Sequence, residues 1–424
     1  MNEQQMLTLL RRGLIVLLLA TALLLLSMTG YGSGMKERLH AVSERTEGST
    51  GQAAAGGTRI DGSAFPIAAA VCDGEGGRFG TAYHGETVMA VFHRFSAELG
   101  EALGSAGAPT EIEAAEFRAE LSRRGVTLRF GCVQPMELLS AWLGIRMTGP
   151  AAGFRTELVC LWLDGDSAVL SFQSEDGRFY RCATAAAADA VASRTAEYEA
   201  NGARFAFELP ELRSGDDFAL IQDGPLTVST VHSGIPLPTG GELDALLQST
   251  GMNSFVASSY AEADGTVVFV DEEATLRMSP SGAVFFRSGF VPEREELPEL
   301  PELVSRAWQI AEQSIGRRCG DAELLFSGLQ VNGASGGTTV YLDYAVNGIP
   351  VHLADGHAAE ITLLGTQPVQ LRLQLRSFTV QDETETLLPA LQAMAIAARD
   401  GAGAELVYTD GGERMSCVWV KTDG

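Results

Sequence analysis

An uninterrupted apolar run near the N-terminus constrains this chain more than any other feature. Residues Gly13 to Tyr31 read GLIVLLLATALLLLSMTGY, which is 19 residues without a charged side chain. As a helix, this run would rise about 28 Å, close to the thickness of the apolar layer of a bilayer. The run therefore predicts a single transmembrane helix over residues 13–31.

The charges beside the run do not decide its orientation. Arg11 and Arg12 precede it, and Lys36 and Arg38 follow it, so the positive-inside count is nearly balanced. The preceding segment has only 12 residues, whereas a segment long enough for a complete globular body follows. This arrangement is typical of a signal anchor with a cytoplasmic tail over residues 1–12 and an exported body. The alternative is a cleaved signal peptide, whose apolar region is usually shorter.

The exported part begins with a segment that is poor in apolar side chains. Residues 43–62 are rich in Gly, Ser, Thr and Ala and cannot bury much surface, so residues 32–62 are predicted to form a flexible stalk. The remaining segments alternate between helical and strand-like apolar spacing. The fold class predicted is α+β, with two or three extracytoplasmic domains built from helices and antiparallel sheets. The domains expected are 63–225 and 226–424, the latter with sub-units at about 240–291 and 302–424.

Several local patterns within these domains predict particular elements. Apolar residues at helical spacing predict a helix from about Glu86 to Leu103. Thr110 followed by Glu113 has the form of a capping box and predicts another helix start. The Pro-containing segment 213–240 is expected to be irregular. A single strand is expected over residues 368–379.

The charge balance excludes one class of partner. The net charge is −24, with 54 acidic and 30 basic side chains. Nucleic-acid binding requires a basic face that displaces counterions from phosphate. The sequence contains no such basic run, so no nucleic-acid partner is expected.

A search for catalytic and metal-binding motifs gives weak candidates. Ser335 lies in GASGG, which matches a nucleophile elbow, but strand-like sequence follows where that motif needs a helix. His352, Asp355 and His357 could supply zinc ligands, but their spacing does not aim both histidines at one ion from a single helix or strand. A hairpin loop and an exposed turn explain these residues better. We therefore expect no enzyme activity, no metal and no cofactor.

The six cysteines do not form a metal-binding pattern, and an exported protein could bridge them. Their burial as free thiols is the favoured alternative in a chain of this length. Cys160 and Cys182 fall on the outer strands of a predicted three-stranded meander. One strand should then separate them by about 9–10 Å, which is too far for a disulfide.

The segment YLDYAVNGIPVHL predicts a hairpin. Asn347 and Gly348 separate two strand-like runs and favour a type I′ turn, which needs positive φ at both positions. Pro350 lacks an N–H group, so it should lie on an edge strand or at a strand start. A free edge could pair with a partner strand, which makes Val351 and Leu353 candidate partner contacts. The alternative is a turn that only shapes the fold.

The C-terminal half resembles the YycH/YycI family of membrane-anchored auxiliary proteins. The resemblance lies in the order of DGTVVFVDEEATLRMSPSGAVFFRSG (264–289), a helix, TTVYLDYAVNGIPVHLADGHAAEITLLGTQPVQLRLQLRSF (338–378) and LVYTDGGERMSCVWVKTDG (406–424). The run from Tyr341 to Val351 is its most characteristic part. The N-terminal order of anchor, stalk, strand and helices is also compatible with this family.

The resemblance implies a regulatory function without catalysis. Family members lie beside the WalK sensor histidine kinase of Gram-positive bacteria, with their transmembrane helices in contact with the kinase and their domains outside the membrane. The resemblance implies a protein of the cell membrane with a kinase partner, and a related anchored protein as a further candidate partner. Leu17, Leu18 and Leu24 would then be candidate contacts within the membrane. The alternatives are a membrane-tethered binding module for a wall fragment or peptide, and a hydrolase using Ser335.

Overall fold

The structure is a computed structural model that describes residues 65–212, 216–254, 256–289, 298–332 and 337–422. The predicted tail, transmembrane helix and stalk lie outside these residues. Within the described part of the chain, no helix is long and apolar enough to cross a bilayer. The described residues form mixed sheets and helices, so the α+β class is confirmed.

The longest helix of the described residues forms where its apolar spacing predicts it. It runs over Gly85–Gly104, and one face buries Val88, Phe95 and Leu99 against the first sheet. The α-helices in the described residues are α1 (Gly85–Gly104), α2 (Ala114–Glu120), α3 (Met136–Trp142), α4 (Ala188–Thr195), α5 (Gly241–Ser249), α6 (Leu300–Ser314) and α7 (Ala390–Ala398).

The first sheet is antiparallel and contains strands from residues 66 to 183. Its spatial order is β2-β1-β4-β5-β6-β7-β3. Its strands are β1 (Pro66–Cys72), β2 (Arg78–Ala82), β3 (Thr110–Ile112), β4 (Gly125–Pro135), β5 (Arg155–Asp164), β6 (Ser167–Ser174) and β7 (Phe179–Ala183).

Both faces of this sheet are covered. Helices α1, α3 and α4 supply apolar side chains to one face. The other face packs against Phe117 of α2 and against Phe205 and Leu220, which belong to the small two-stranded sheet of β8 (Arg204–Phe205) and β9 (Leu220–Ile221). Because side chains alternate between the faces of a sheet, a strand covered on both sides is buried along its length.

The second sheet is larger and contains the remaining strands of the described residues. Its order is β11-β12-β13-β14-β19-β18-β16-β17-β21-β22-β10-β20, and β15 pairs with the other side of β16. Its strands are β10 (Leu226–Gly234), β11 (Ser258–Ala261), β12 (Val267–Val270), β13 (Ala274–Met278), β14 (Ala283–Ser288), β15 (Glu323–Asn332), β16 (Gly337–Val346), β17 (Ile349–His352), β18 (Ala359–Leu364), β19 (Gln367–Gln374), β20 (Ser377–Leu387), β21 (Gly403–Thr409) and β22 (Arg414–Thr422).

One face of the second sheet is covered by helices α5 and α6. Leu246 of α5, Trp308 of α6 and Ile361 of β18 belong to the same buried cluster, which continues to α1 and the first sheet. The strands β18 and β19 alternate between buried and more accessible side chains. We call the first sheet with its covering helices the first region, and the second sheet with helices α5 and α6 the second region. A single apolar core therefore joins the two regions, while part of the second sheet keeps an accessible face.

Three expected elements are wrong. Thr110 lies in strand β3, and helix α2 begins at Ala114 without a side-chain cap, because Thr110–Ile112 pairs with β7. The segment 213–240 contains strand β10, since its β-branched residues pair with β20. The strand expected over 368–379 is divided between β19 and β20. Long-range pairing decides these cases over the local pattern.

The expected order of the three-stranded meander is confirmed. Strand β6 lies between β5 and β7, with Cys160 opposite Ser171 and Cys182 opposite Leu170. Cys160 belongs to the cluster on one face of the first sheet and Cys182 to the cluster on the other. All six cysteines are free thiols.

Candidate functional site

A cleft of about 810 Å³ lies between the first and second regions. Helix α3 and the following segment Ile145–Met147 form one wall, and helix α6 forms another. The turn at Thr366 and Gln367, between β18 and β19, contributes a third side. This volume lies within the range of clefts that bind small molecules.

The sequence of α6 places a polar stripe toward the cleft. Pro301 occupies the first turn, where its missing N–H group is not needed. Leu303, Val304 and Ala307 are buried on the sheet side of the helix. The cleft is lined by four polar residues at spacings of three, one and three, namely Glu302, Ser305, Arg306 and Gln309.

The lining residues that the first region supplies include more apolar side chains than those of α6 and the turn. Helix α3 follows Pro135, and its Leu138 and Leu139 are buried in the core. Ser140 of the same helix is buried, and its hydroxyl donates a hydrogen bond to the carbonyl of Glu137 at 2.8 Å. A backbone carbonyl is not a general base, so this hydrogen bond does not activate the hydroxyl as a nucleophile.

The charged groups of the cleft are unevenly paired. Arg146 and Glu299 form an ion pair whose side chains are 60% and 62% exposed, so this contact contributes little stability. Arg306 is half-buried and donates a weak hydrogen bond from Nε to the carbonyl of Thr366 at 3.4 Å. Among the described residues, no carboxylate lies within ion-pair distance of Arg306.

The described lining of the cleft is rich in side chains that can bind a polar or charged ligand. Its described lining residues include no His, Cys or Lys, which most often act as nucleophiles or general bases. In the described parts of the chain, no group of three or more His, Cys, Asp or Glu residues is placed to hold a metal ion. Hydrogen bonds and charge interactions with a small ligand are the chemistry that this lining supports.

The predicted hairpin turn lies at a second contact between the regions. Asn347 and Gly348 have φ of 53° and 78°, which confirms the type of turn expected. The N–H of Gly85, the first residue of α1, donates to the carbonyl of Asn347 at 2.9 Å. A Cβ atom on Gly348 would lie 2.4 Å from the Cα atom of Gly85. Gly348 is therefore required both by the turn and by this close approach.

The free strand edge expected at Val351 and Leu353 is wrong. Strand β17 pairs with β16 on one side and in parallel with β21 on the other, so neither side is open at Val351. Val351 is 1% exposed, and Leu353 is half-buried in a small bridge to Gly356. Pro350 is the second residue of β17, so the alternative, a strand start, is the correct one.

A polar cluster lies near the same junction. Tyr83, just before α1, has a φ of 59°, an uncommon conformation for a non-glycine residue. Arg129 pairs with Asp216 and, at 3.5 Å, with Glu157. Burial lowers the pKa of Arg129, but these carboxylates outweigh it and raise the pKa overall. Burial raises the pKa of Tyr83 to about 12 and also raises the pKa of Glu405.

The two histidines of the predicted turn have different surroundings. His352 is exposed, whereas His357 is half-buried and its Nδ1 lies 3.0 Å from Asp343. Asp355 is exposed in the turn between them. The structure thus pairs His357 with Asp343 of β16, a residue that the sequence analysis did not select.

The remaining candidates cannot be placed. Leu17, Leu18, Leu24 and Ser335 lie outside the described residues. The cleft itself was missed by the sequence analysis because its walls come from segments near residues 140, 305 and 366. The polar stripe of α6 was the available signal, and it has the same spacing as an ordinary solvent-facing surface.

Comparison with known proteins identifies the fold. No model of a protein family matches the sequence, and no curated protein matches it either. Among solved structures, the chain is similar to the crystal structure of YycH from Bacillus subtilis, with a TM-score of 0.53 over 87% of this chain and 95% of that chain. This chain has a YycH-like fold. The sequences are 12% identical, so the likeness concerns the fold alone.

The YycH-like fold agrees with the resemblance found in the sequence. The characteristic run from Tyr341 to Val351 forms β16, the Asn347-Gly348 turn and the first part of β17. In this chain, the run thus forms a turn and paired strands in the core of the second sheet.

Proposed function

We propose that this protein is a non-enzymatic, membrane-anchored regulator of a WalK-like sensor histidine kinase of cell-wall homeostasis. The observation that carries the proposal is the YycH-like fold over 87% of a chain that begins with a transmembrane-type apolar run. In this proposal, residues 13–31 anchor the protein as a single helix, and the body after the stalk lies outside the cytoplasm. The regions 63–225 and 226–424 form its extracytoplasmic domains.

The chemistry of the described residues supports a regulator without catalysis. Neither the sequence motifs nor the lining of the large cleft offer an activated nucleophile or a paired acid and base. The kinase contact would be made in part by the membrane helix, with Leu17, Leu18 and Leu24 as its candidate residues. A related anchored protein is a further candidate partner.

Co-purification from detergent tests the kinase contact. The full chain and the kinase are expressed together, and the kinase recovered with a tag on this protein is measured. Replacing residues 13–31 with an unrelated transmembrane helix should reduce that yield and abolish regulation, because the helix contacts would be lost. Full recovery and regulation after this replacement would contradict a role for the helix.

Point variants make the same test sharper. Leu17→Ala, Leu18→Ala and Leu24→Ala should each lower the kinase yield. Leu26→Ala is the control, because position 26 lies half a turn around a helix from position 17. Equal yields for all four variants, at equal membrane levels, would exclude this face of the helix.

Protease treatment of protoplasts tests the topology independently. Protease added outside should digest the body and leave a small anchored fragment. Protection of the whole body would contradict an extracytoplasmic location, whatever the kinase experiment shows.

A further inference from the structure

The cleft between α3, α6 and the β18–β19 turn is lined by an arginine, Arg306, that forms no ion pair with a carboxylate of the described residues. The guanidinium group of Arg306 donates to the backbone carbonyl of Thr366. Glu302 precedes Arg306 by four positions on α6, a spacing at which such side chains often pair. No ion pair forms between them among the contacts of the described residues.

The one contact of Arg306 uses the nitrogen nearest its stem. Nε donates to Thr366 at 3.4 Å, and neither terminal nitrogen of the guanidinium group donates a hydrogen bond to another described residue. Two parallel N–H groups match the two oxygens of a carboxylate. Because Arg306 is half-buried, such a pair would be less screened by water than one on the open surface.

The rest of the lining suits a small ligand with a second, positive end. Glu137 and Glu302 are acidic, and Glu137 is half-buried on the wall opposite α6. Ile145, which is half-buried, offers apolar surface in the same lining. A carboxylate, a short apolar body and an amino group are the parts of a short unblocked peptide.

We propose that this cleft binds short peptides through their free C-terminal carboxylate, with Arg306 as the anchoring group. The acidic side chains of Glu137 and Glu302 interact with the amino end. The first region supplies α3, and the second supplies α6 and the turn, so a bound peptide contacts both regions. This adds a ligand to the proposed regulator and requires no contact with the kinase.

Isothermal titration calorimetry of the purified full chain in detergent tests the proposal. The probes are tri-alanine, tri-alanine with a C-terminal amide, and N-acetyl tri-alanine. Tri-alanine should bind, and the amide should bind about tenfold more weakly or worse, since a charge-assisted pair is lost. The acetylated peptide should lose less affinity, because Glu302, one of the two carboxylates that meet the amino end, is exposed and its interaction is screened by water.

Variants of Arg306 connect the binding to this cleft. Arg306→Gln should lower tri-alanine affinity to that of the amide on wild-type protein, and should no longer distinguish the two peptides. Arg306→Lys should retain intermediate affinity, because it keeps the charge and loses the forked geometry. Arg317→Gln changes an exposed arginine beyond the end of α6 and should bind like wild type. Thermal melts confirm that each variant is folded.

Three results would overturn the proposal. They are no binding of tri-alanine up to about 1 mM, equal binding of the acid and the amide, and wild-type binding by a folded Arg306→Gln variant. Failure of kinase co-purification would leave these titrations unaffected, so the two proposals can fail separately.

Discussion

The two sheets of this protein are covered to different extents. In β5 of the first sheet, the neighbouring residues Leu161 and Trp162 are 0% and 2% exposed although they point to opposite faces. In β19 of the second sheet, Leu371 is 0% exposed, whereas the side chain of Arg372 is 61% exposed. The first sheet is therefore an internal layer, and this part of the second sheet separates a core from an accessible surface.

The accessible surface of the second sheet includes a row of charged and aromatic side chains that crosses four strands. Arg277, Phe285, Arg372 and Glu360 are cross-strand neighbours in a row over β13, β14, β19 and β18. Phe285 is half-buried, and Arg372 approaches Glu360 to 4.0 Å. Because this part of the second sheet has an exposed face, we expect it to tolerate substitutions that the first sheet does not.

Paired alanine substitutions on neighbouring residues test this difference between the sheets most directly. Leu161→Ala and Trp162→Ala should both destabilise the protein, by about 2–5 and 3–5 kcal/mol, because each leaves a cavity in a packed core. Leu371→Ala should cost about 2–5 kcal/mol, whereas Arg372→Ala should change the free energy of unfolding by no more than about 0.5 kcal/mol.

Urea unfolding of the four variants measures these free energies. The comparison requires two large effects in the first sheet and one large and one small effect in the second. A small effect of Trp162→Ala would show that one face of the first sheet is not a core. A large effect of Arg372→Ala would show that the second sheet is also covered on both sides.

The junction between the regions gives the next largest expected effect. Gly348→Ala should cost more than about 2 kcal/mol, since strain at positive φ adds to a clash with Gly85. Gly365 is the matched control, because it has a φ of 59° in the β18–β19 turn and open space around it. Gly365→Ala should cost only the strain, about 1–2 kcal/mol. Equal unfolding free energies for the two variants would contradict a specific contact at Gly348.

The extent to which sequence predicted this structure depends on the range of the interactions. The Asn347-Gly348 turn and the helix beginning near Glu86 were predictable, because local backbone preference and apolar spacing determine them. The position of Val351 was not, since its burial depends on parallel pairing with β21, more than 50 residues away. No short segment contains the information for that contact.

The candidate site was less predictable than the fold. Arg306 lies in a stripe whose spacing is that of any exposed helix face, and only the packing of α6 beside α3 makes it part of a cleft. The contact of Gly85 was equally unpredictable from its local sequence. Its sequence context contains no sign that the backbone of Gly348 approaches it.

Thiol labelling compares the solvent access of the sheet faces in the folded state. Cys160 and Cys182 lie on opposite faces of the first sheet, and burial raises the pKa of both thiols, that of Cys182 to about 11. Since the thiolate is the reactive form, both should react with iodoacetamide only after unfolding. A cysteine introduced by Thr362→Cys, on the accessible face of β18, should react roughly 100-fold faster or more in the native state.

Peptide-level mass spectrometry separates these sites from the other cysteines. Rapid native labelling of Cys160 or Cys182 would show that the corresponding face of the first sheet opens to solvent. Slow labelling at position 362, with rapid labelling after denaturation, would show that the second sheet is covered there.

The smallest expected effect is a pH-dependent change in stability from the protonation of His357, on the accessible face of the second sheet. The hydrogen bond to Asp343 raises the pKa of His357 above its ordinary value of 6.5, burial opposes this shift, and the negative charges of Asp343 and Glu360 add to it. A raised pKa in the folded state means that protonated His357 stabilises the fold. This contribution is fully present below the unfolded pKa and is lost as pH rises through the folded pKa. Asp343→Asn should therefore lower the pKa of His357 in an NMR titration, and its cost in unfolding free energy should shrink as pH rises past neutrality. An unchanged pKa in that variant would mean that Asp343 does not hold the imidazolium. The titration of His357 would then not distinguish the accessible face of the second sheet from the covered faces of the first sheet.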